Sequence, residues 1–349
     1  TFKKYLFDSI PLSYFMYEDK ETKLSKRKWI EKCDDYAMMV PIAQISSSPL
    51  QMDFINYYYE RDYDKKDANR ELKEQAIKEI LQKPPLSPKD VVKGRKKFLS
   101  NLDMIEIDIT FECNLKCKGC NRSCGYAPST DGMTIDDIRR FISESKIFGK
   151  KWKLINILGG EPTLHKDFLQ IIEILQREYV DSFCKDTIIQ VVSNGFAKQT
   201  KELCKQAELF KNVRIDYSSF KTKNLVDYFT PFNNAPIDDI NFKDADYSTA
   251  CWVASYCGLG LNKNGYYACS VCGGIDRVLG GNKGIKTLKE ITTQNLQDHF
   301  KEFCKFCGNF KDYAPNYGDF IPRCEKAPFK EKISPSWKQI YDRYKRNHE

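Results

Sequence analysis

The chain has 349 residues, 41% hydrophobic and 30% charged, with a formal net charge of +8. That length permits one large domain or two to three smaller ones, and no apolar run approaches the ~18 residues that would span a bilayer. The positive excess is spread along the chain rather than gathered in a stripe or tail. This argues against a nucleic-acid binder and leaves mild attraction for an anionic substrate or an acidic electron carrier. The opening residues, "TFKKYLFDSIPLSYF", lack the apolar core and cleavage site of a secretory signal. With fourteen cysteines, the expected setting is reducing and cytoplasmic, where clustered thiols serve metal binding or catalysis rather than disulfides.

Residues 1–100 hold one cysteine, Cys33, and one clear helical repeat: Leu72, Ala76 and Ile80 recur every four residues in "DANRELKEQAIKEILQK". "QKPPLSP" ends that helix, and Ser87 or Pro88 can start another through Leu99, so a mostly helical N-terminal extension is expected. From 101 to 240 strands and helices alternate. "MIEIDIT" (104–110), "WKLINIL" (152–158), "DTIIQVVS" (186–193) and "NVRIDYS" (212–218) read as strands. Between them lie helix-periodic segments, the first with Thr134 and Asp137 as a capping box. This pattern predicts right-handed βαβ units and a parallel sheet. Residues 241–349 are loop-rich and cysteine-dense, and end in a helix begun at Ser334 or Ser336.

In such sheets ligands sit at the carboxyl ends of the strands. Four unusual loops share that edge: "TFECNLKCKGCNRSCG" after the first strand, "LGGEP" after the second, "SNGF" after the third and "SSF" after the fourth. Cys113, Cys117 and Cys120 form C-x3-C-x2-C, a spacing that lets three thiolates converge on one iron–sulfur cluster. Structural zinc normally takes four protein ligands, commonly from two separated pairs. Three cysteines on one loop instead suit a cubane with one iron left open.

"CNLKCKGC" followed by "LGGEP" in the next loop resembles the radical S-adenosylmethionine superfamily. The resemblance spans about residues 104–220 and implies a partial (β/α)6-type barrel. It implies a [4Fe–4S] cluster on Cys113, Cys117 and Cys120 whose open iron chelates S-adenosylmethionine. One electron, from a flavodoxin or ferredoxin type donor, then yields a 5′-deoxyadenosyl radical that abstracts hydrogen from an unactivated carbon. Gly159, Gly160, Glu161 and Pro162 are expected to meet the methionine amino group, with Ser193, Asn194 and Ser218 as further cofactor contacts. Gly119 departs from the aromatic residue common before the third cysteine. Cys124 is left over, as a rival ligand, a plain thiol or a hydrogen donor. His165 is given no role.

Downstream, Cys251, Cys257, Cys269, Cys272, Cys304, Cys307 and Cys324 form a second group, with Gly265 suited to a hairpin turn. The group is similar to twitch and SPASM auxiliary-cluster regions. That likeness implies a second [4Fe–4S] site on Cys257, Cys269, Cys304 and Cys307, with Cys251 competing and Cys272 a further possible hydrogen donor. A structural zinc at the same cysteines is the alternative. Cys184 and Cys204 read as buried core thiols. The expected activity is hydrogen abstraction from a small polar metabolite of sugar or aminocyclitol type, followed by oxidation or epimerisation. A ribosomally made peptide is the rival substrate, and a non-catalytic zinc-binding scaffold is the rival of another class.

Overall fold

The computed structural model describes residues 16–18, 25–29, 40–41, 70–83, 97–117, 119–221, 228–229, 232–240, 242–311, 321–322 and 333–348. The chain divides into two compact units, 1–96 and 97–349. In the first, β1 (Met16–Glu18) and β2 (Ser25–Trp29) pair antiparallel, and α1 (Arg70–Gln82) buries Ala76 and Ile80. Cys33, Cys324 and most of the helix expected from Ser87 or Pro88 lie outside the described residues, while residues 97–100 are not helical.

The second unit is built on a mostly parallel six-stranded sheet. β3 (Met104–Thr110), β4 (Leu154–Gly159), β5 (Ile188–Val191) and β6 (Val213–Ile215) follow one another in chain order. On the far side of β3, β8 (Leu259–Asn262) adds parallel and β9 (Gly265–Tyr267) returns antiparallel. The fold is therefore α/β as expected. The cysteine-rich third is continuous with the sheet, because the hairpin expected around Gly265 supplies its last two strands. A two-residue pair, β7 (Tyr228–Phe229) with β10 (Ile321–Pro322), stands apart from that sheet.

The two faces of the sheet differ. Ile105, Ile107, Ile155, Ile157, Ile189 and Val191 face one way, under α2 (Ile135–Ile147), α3 (Phe168–Ile174) and α4 (Lys198–Ala207), in one buried apolar core. The capping box fixes where α2 starts: Asp137 N donates to Thr134 Oγ1 (3.1 Å) and Thr134 N to Asp137 Oδ2 (2.8 Å). Cys204 belongs to this core, and Cys184 is half-buried against it. α3 continues as a wider π-helical stretch to Asp181, so the segment is longer than its repeat suggests.

The C-terminal third contributes α5 (Trp252–Cys257), α6 (Ser270–Leu279), α7 (Thr293–Phe303) and α8 (Pro335–Arg346). Gly260 lets α6 start directly over the sheet: a Cβ there would lie 2.5 Å from Ser270 Cα. Among the described residues, no helix is long and apolar enough to cross a membrane.

Candidate active site

The loop after β3 carries Cys113, Cys117 and Cys120, all half-buried and none in a disulfide. Cys124 is 7% exposed, its thiol lies 3.9 Å from the Arg122 carbonyl it can donate to, and it packs beside the Cys113 and Cys120 thiols. Contact with Cys124 draws the Cys120 thiol down to about 6, and Cys113 below its ordinary value, against the opposing effect of burial. Cys124 is pushed well up by the same two contacts and by burial. It therefore sits as a protonated thiol packed against the other two.

"NRSCG" is a clamp. Arg122, 5% exposed, donates to Glu106 Oε2 (3.1 Å) and Asp108 Oδ1 (3.2 Å), which project from β3. Its carbonyl accepts from Arg277 Nη2 (2.8 Å) on α6. Ser123 takes φ +56°, and its hydroxyl bonds Tyr341 Oη (2.8 Å) on α8. The chain just beyond Cys120 is thus fixed to the sheet and to two helices.

The glycines of "LGGEP" approach protein, not open space. Gly160 N donates to Thr110 O (2.8 Å) and Glu161 N to Glu112 O (2.7 Å), zipping this loop to the start of the cysteine loop. A Cβ at Gly160 would lie 2.1 Å from Glu112 O, and one at Gly159 (φ +137°) 2.0 Å from Thr110 O. Gly160→Ala is therefore expected to separate the two loops and destabilise the unit by more than ~2 kcal/mol, read as a lowered midpoint in chemical unfolding.

Glu161 is fully buried, and its carboxylate is already engaged. Oε1 accepts from Ser193 Oγ (2.8 Å) and Thr163 Oγ1 (2.8 Å), and Oε2 from Asn194 N (2.7 Å). Burial pushes this carboxyl up, against those hydrogen bonds. Asn194 Nδ2 donates to Asn114 Oδ1 (2.8 Å) and lies 3.9 Å from Cys113 Sγ. Glu161, Ser193 and Asn194 thus lock the loops after β4 and β5 to the cysteine loop. Pro162, buried, opens the short turn that follows. Ser218 stands apart from them: it is exposed and donates to its own neighbour Asp216. His165 is also structural: Nδ1 accepts from Asp167 N (3.1 Å), which leaves Nε2 to donate to Met133 O (2.8 Å).

The second sheet face holds residues that motif reading missed. Glu106, Asn156, Gln190 and Arg214 are register partners across β3, β4, β5 and β6, so they form one polar row. Arg214 Nε donates to Gln190 Oε1 (2.6 Å). Asn156 is 6% exposed, and its Oδ1 is buried without a partner. A parallel sheet covered on both faces is normally apolar on both. The sequence signal was the shared phase of "IEIDI", "INI", "IQV" and "VRI", each with a polar residue on the face opposite the isoleucines and valines.

Downstream, Cys251, Cys269, Cys272, Cys304 and Cys307 line one otherwise apolar pocket with Val253, Ile275 and Phe300. All five are buried and none is in a disulfide. The expected set held Cys257 in place of Cys251, and the structure arranges them otherwise. Cys251 precedes α5 and faces the pocket. Cys257 ends α5 beside Glu106 and Arg122, where burial holds its thiol protonated. Cys269 and Cys272 thiols are 3.4 Å apart. Among the described residues, no three His, Cys, Asp or Glu side chains are arranged to hold a single metal ion. Five buried thiols in an apolar shell are a donor set that suits a thiolate-held metal centre.

A parallel α/β sheet with a thiol loop at its carboxyl edge, tied to a Gly-Gly-Glu turn, defines a protein built to hold a metal cluster beside a polar face. Residues 107–226 match the family model of the Radical SAM superfamily. The family implies a [4Fe–4S] cluster and S-adenosylmethionine.

Among curated proteins, the chain is similar to the GTP 3′,8-cyclase of Actinobacillus succinogenes, 43% identical over 72 residues (20% of each chain). It is also similar to a probable GTP 3′,8-cyclase of Methanocaldococcus jannaschii, 36% identical over 125 residues (35% of this chain, 39% of that one). The chain thus spans a fifth to two fifths of these relatives. Among solved structures, BtrN in complex with AdoMet and 2-DOIA aligns at TM-score 0.34 and 15% identity, over 61% of this chain and 89% of that one. SuiB of Streptococcus suis bound to precursor peptide SuiA aligns at 0.24 and 18%, over 46% and 32%.

Proposed function

We propose that this protein cleaves S-adenosylmethionine reductively and directs the radical onto a small polar molecule held against the polar sheet face. The observation that carries the substrate class is the buried, unpartnered Asn156 carbonyl within the row Glu106–Asn156–Gln190–Arg214. A buried acceptor left without a donor costs ~1–3 kcal/mol, which a hydroxyl or amine of a bound molecule would recover. In this reading Cys113, Cys117 and Cys120 hold the first cluster. Glu161, Ser193 and Asn194 keep their loops closed around it, and Cys124 packs against two of the ligand sulfurs. When bound, the cluster and S-adenosylmethionine supply a 5′-deoxyadenosyl radical that abstracts hydrogen from carbon. Cys251, Cys269, Cys304 and Cys307 hold a second cluster, with Cys272 the fifth thiol, and a flavodoxin or ferredoxin type carrier supplies electrons. The matches to GTP 3′,8-cyclases cover only a fifth to two fifths of those proteins and support the cleavage half of the activity, not its substrate.

Anaerobic reconstitution tests this. About eight irons per chain, from two four-iron clusters, and reductant-dependent 5′-deoxyadenosine are expected. Cys251→Ala is expected to lose about four irons and Cys257→Ala none. A colourless protein with bound zinc would overturn the enzyme reading. Mass spectrometry showing a modified co-expressed peptide would overturn the small-molecule substrate.

A further inference from the structure

The face of the C-terminal unit behind the second thiol pocket is a groove of about 540 Å3 between α6, α7 and α8. We propose that it is the docking surface for an acidic one-electron carrier, and that the carrier exchanges its electron with the centre held by Cys251, Cys269, Cys304 and Cys307. This rests on the second-cluster reading above.

Position is the first argument. Groove and pocket are two sides of one thin wall. In the turn Cys304-Lys305-Phe306-Cys307, both cysteines line the pocket while Lys305 and Phe306 line the groove. The helices repeat the pattern: on α6 Ile275 lines the pocket and Leu279 the groove, and on α7 Phe300 lines the pocket and Glu302 the groove. A carrier seated in the groove is separated from the thiol site by a single turn of chain. The turn is also held firmly, since Trp337 Nε1 of α8 donates to Phe306 O at 2.7 Å.

Charge is the second. Lys283, Lys305, Arg343 and Arg346 line the groove, against two carboxylates. Asp276 is 1% exposed and accepts from Tyr267 Oη (2.6 Å) and Lys283 N (3.0 Å), so it faces inward. Glu302 is taken by Lys305 (3.4 Å). Arg343 and Arg346 lie exposed on successive turns of α8, one helical turn apart, and none of the described ion pairs involves them. Half-buried Phe306 and Leu279, with nearly buried Ile340, supply an apolar centre inside that basic rim. An apolar centre with a charged rim is the anatomy of a transient interface, and the rim sign selects an acidic partner. The step moves one electron: the reduced carrier is oxidised by one, the centre is reduced by one, and no bond or proton changes hands.

The test uses reconstituted full chain and a reduced, acidic flavodoxin. Titration calorimetry with the oxidised flavodoxin is expected to show binding that weakens steeply with salt. Arg343→Glu with Arg346→Glu is expected to weaken it at least about tenfold and slow flavodoxin oxidation in stopped flow accordingly. Arg343→Lys with Arg346→Lys is expected to bind nearly as wild type, which separates charge from a folding defect. Dithionite, a small reductant needing no docking, is expected to drive 5′-deoxyadenosine formation equally in all three proteins. Unchanged flavodoxin affinity in the double Glu variant, or salt-insensitive binding, would overturn the docking surface alone. Failure of dithionite to yield 5′-deoxyadenosine in wild type would instead overturn the enzyme reading.

Discussion

Alanine at Cys113, Cys117 or Cys120 is expected to remove the first cluster and all detectable 5′-deoxyadenosine formation, whereas Cys124→Ala is expected to keep both. The three residues share one loop and one spacing, so no neighbouring thiol can replace Cys117 without moving the chain. Cys124 is the thiol closest to doing so for the other two, since it packs beside both Cys113 and Cys120. It is nevertheless held by the chain around it. Its backbone lies just past Ser123, whose left-handed turn is pinned to Tyr341, and it is 7% exposed. Removing that thiol changes the surroundings of two ligand sulfurs, which shifts a cluster's potential rather than its occupancy. The measurements are iron content and the midpoint potential of the first cluster in Cys124→Ala. Loss of about four irons would make Cys124 a ligand and sink this assignment.

The first cluster was legible because its determinants are local. Three cysteines within eight residues, after a strand and before a Gly-Gly turn, state their own geometry. The strands were legible from alternation, and α2 from its capping box. The second thiol site was not, and α5 shows why. Cys251 and Cys257 flank a six-residue helix, which sets them about 9 Å apart at 1.5 Å per residue. Cys251 and not Cys257 lines the pocket with Cys269, Cys304 and Cys307, and which end of α5 does so depends on how α5 docks on β3, a tertiary fact with no local signal. The polar row failed differently. Each strand displays one or two polar residues in the right phase, but their union depends on the register of β3, β4, β5 and β6. Glu161 was legible in place but not in its partners. Its position after β4 was plain, but the partners that occupy its carboxylate come from the loop after β5.

Arg122→Met is expected to be the most destabilising single change at this site, by about 3–5 kcal/mol at pH 7.5, because it leaves two buried carboxyls without their cation. For a unit of this size that corresponds to a fall of about 6–20 °C in the unfolding midpoint. The pH dependence gives the loss a signature. Burial pushes Asp108 up to about 6, even though Arg122 opposes the shift. A carboxyl raised in the folded state binds its proton more tightly there than in the unfolded chain. Its stabilisation is present below the ordinary value of 3.8 and is lost as pH rises through about 6. Without Arg122 the proton is held to still higher pH, so the deficit should be smallest near pH 5 and grow toward pH 7.5. Adding Glu106→Gln and Asp108→Asn to Arg122→Met should recover most of the stability, since it removes the stranded charges. A deficit independent of pH would instead mean that packing, not charge, holds this clamp. The consequence reaches the chemistry through two residues of chain. Arg122 ties the segment after Cys120 to β3, and its carbonyl ties the same segment to α6 through Arg277. The variant refolded at pH 5.5 is therefore expected to bind iron more loosely than wild type even where its fold is intact.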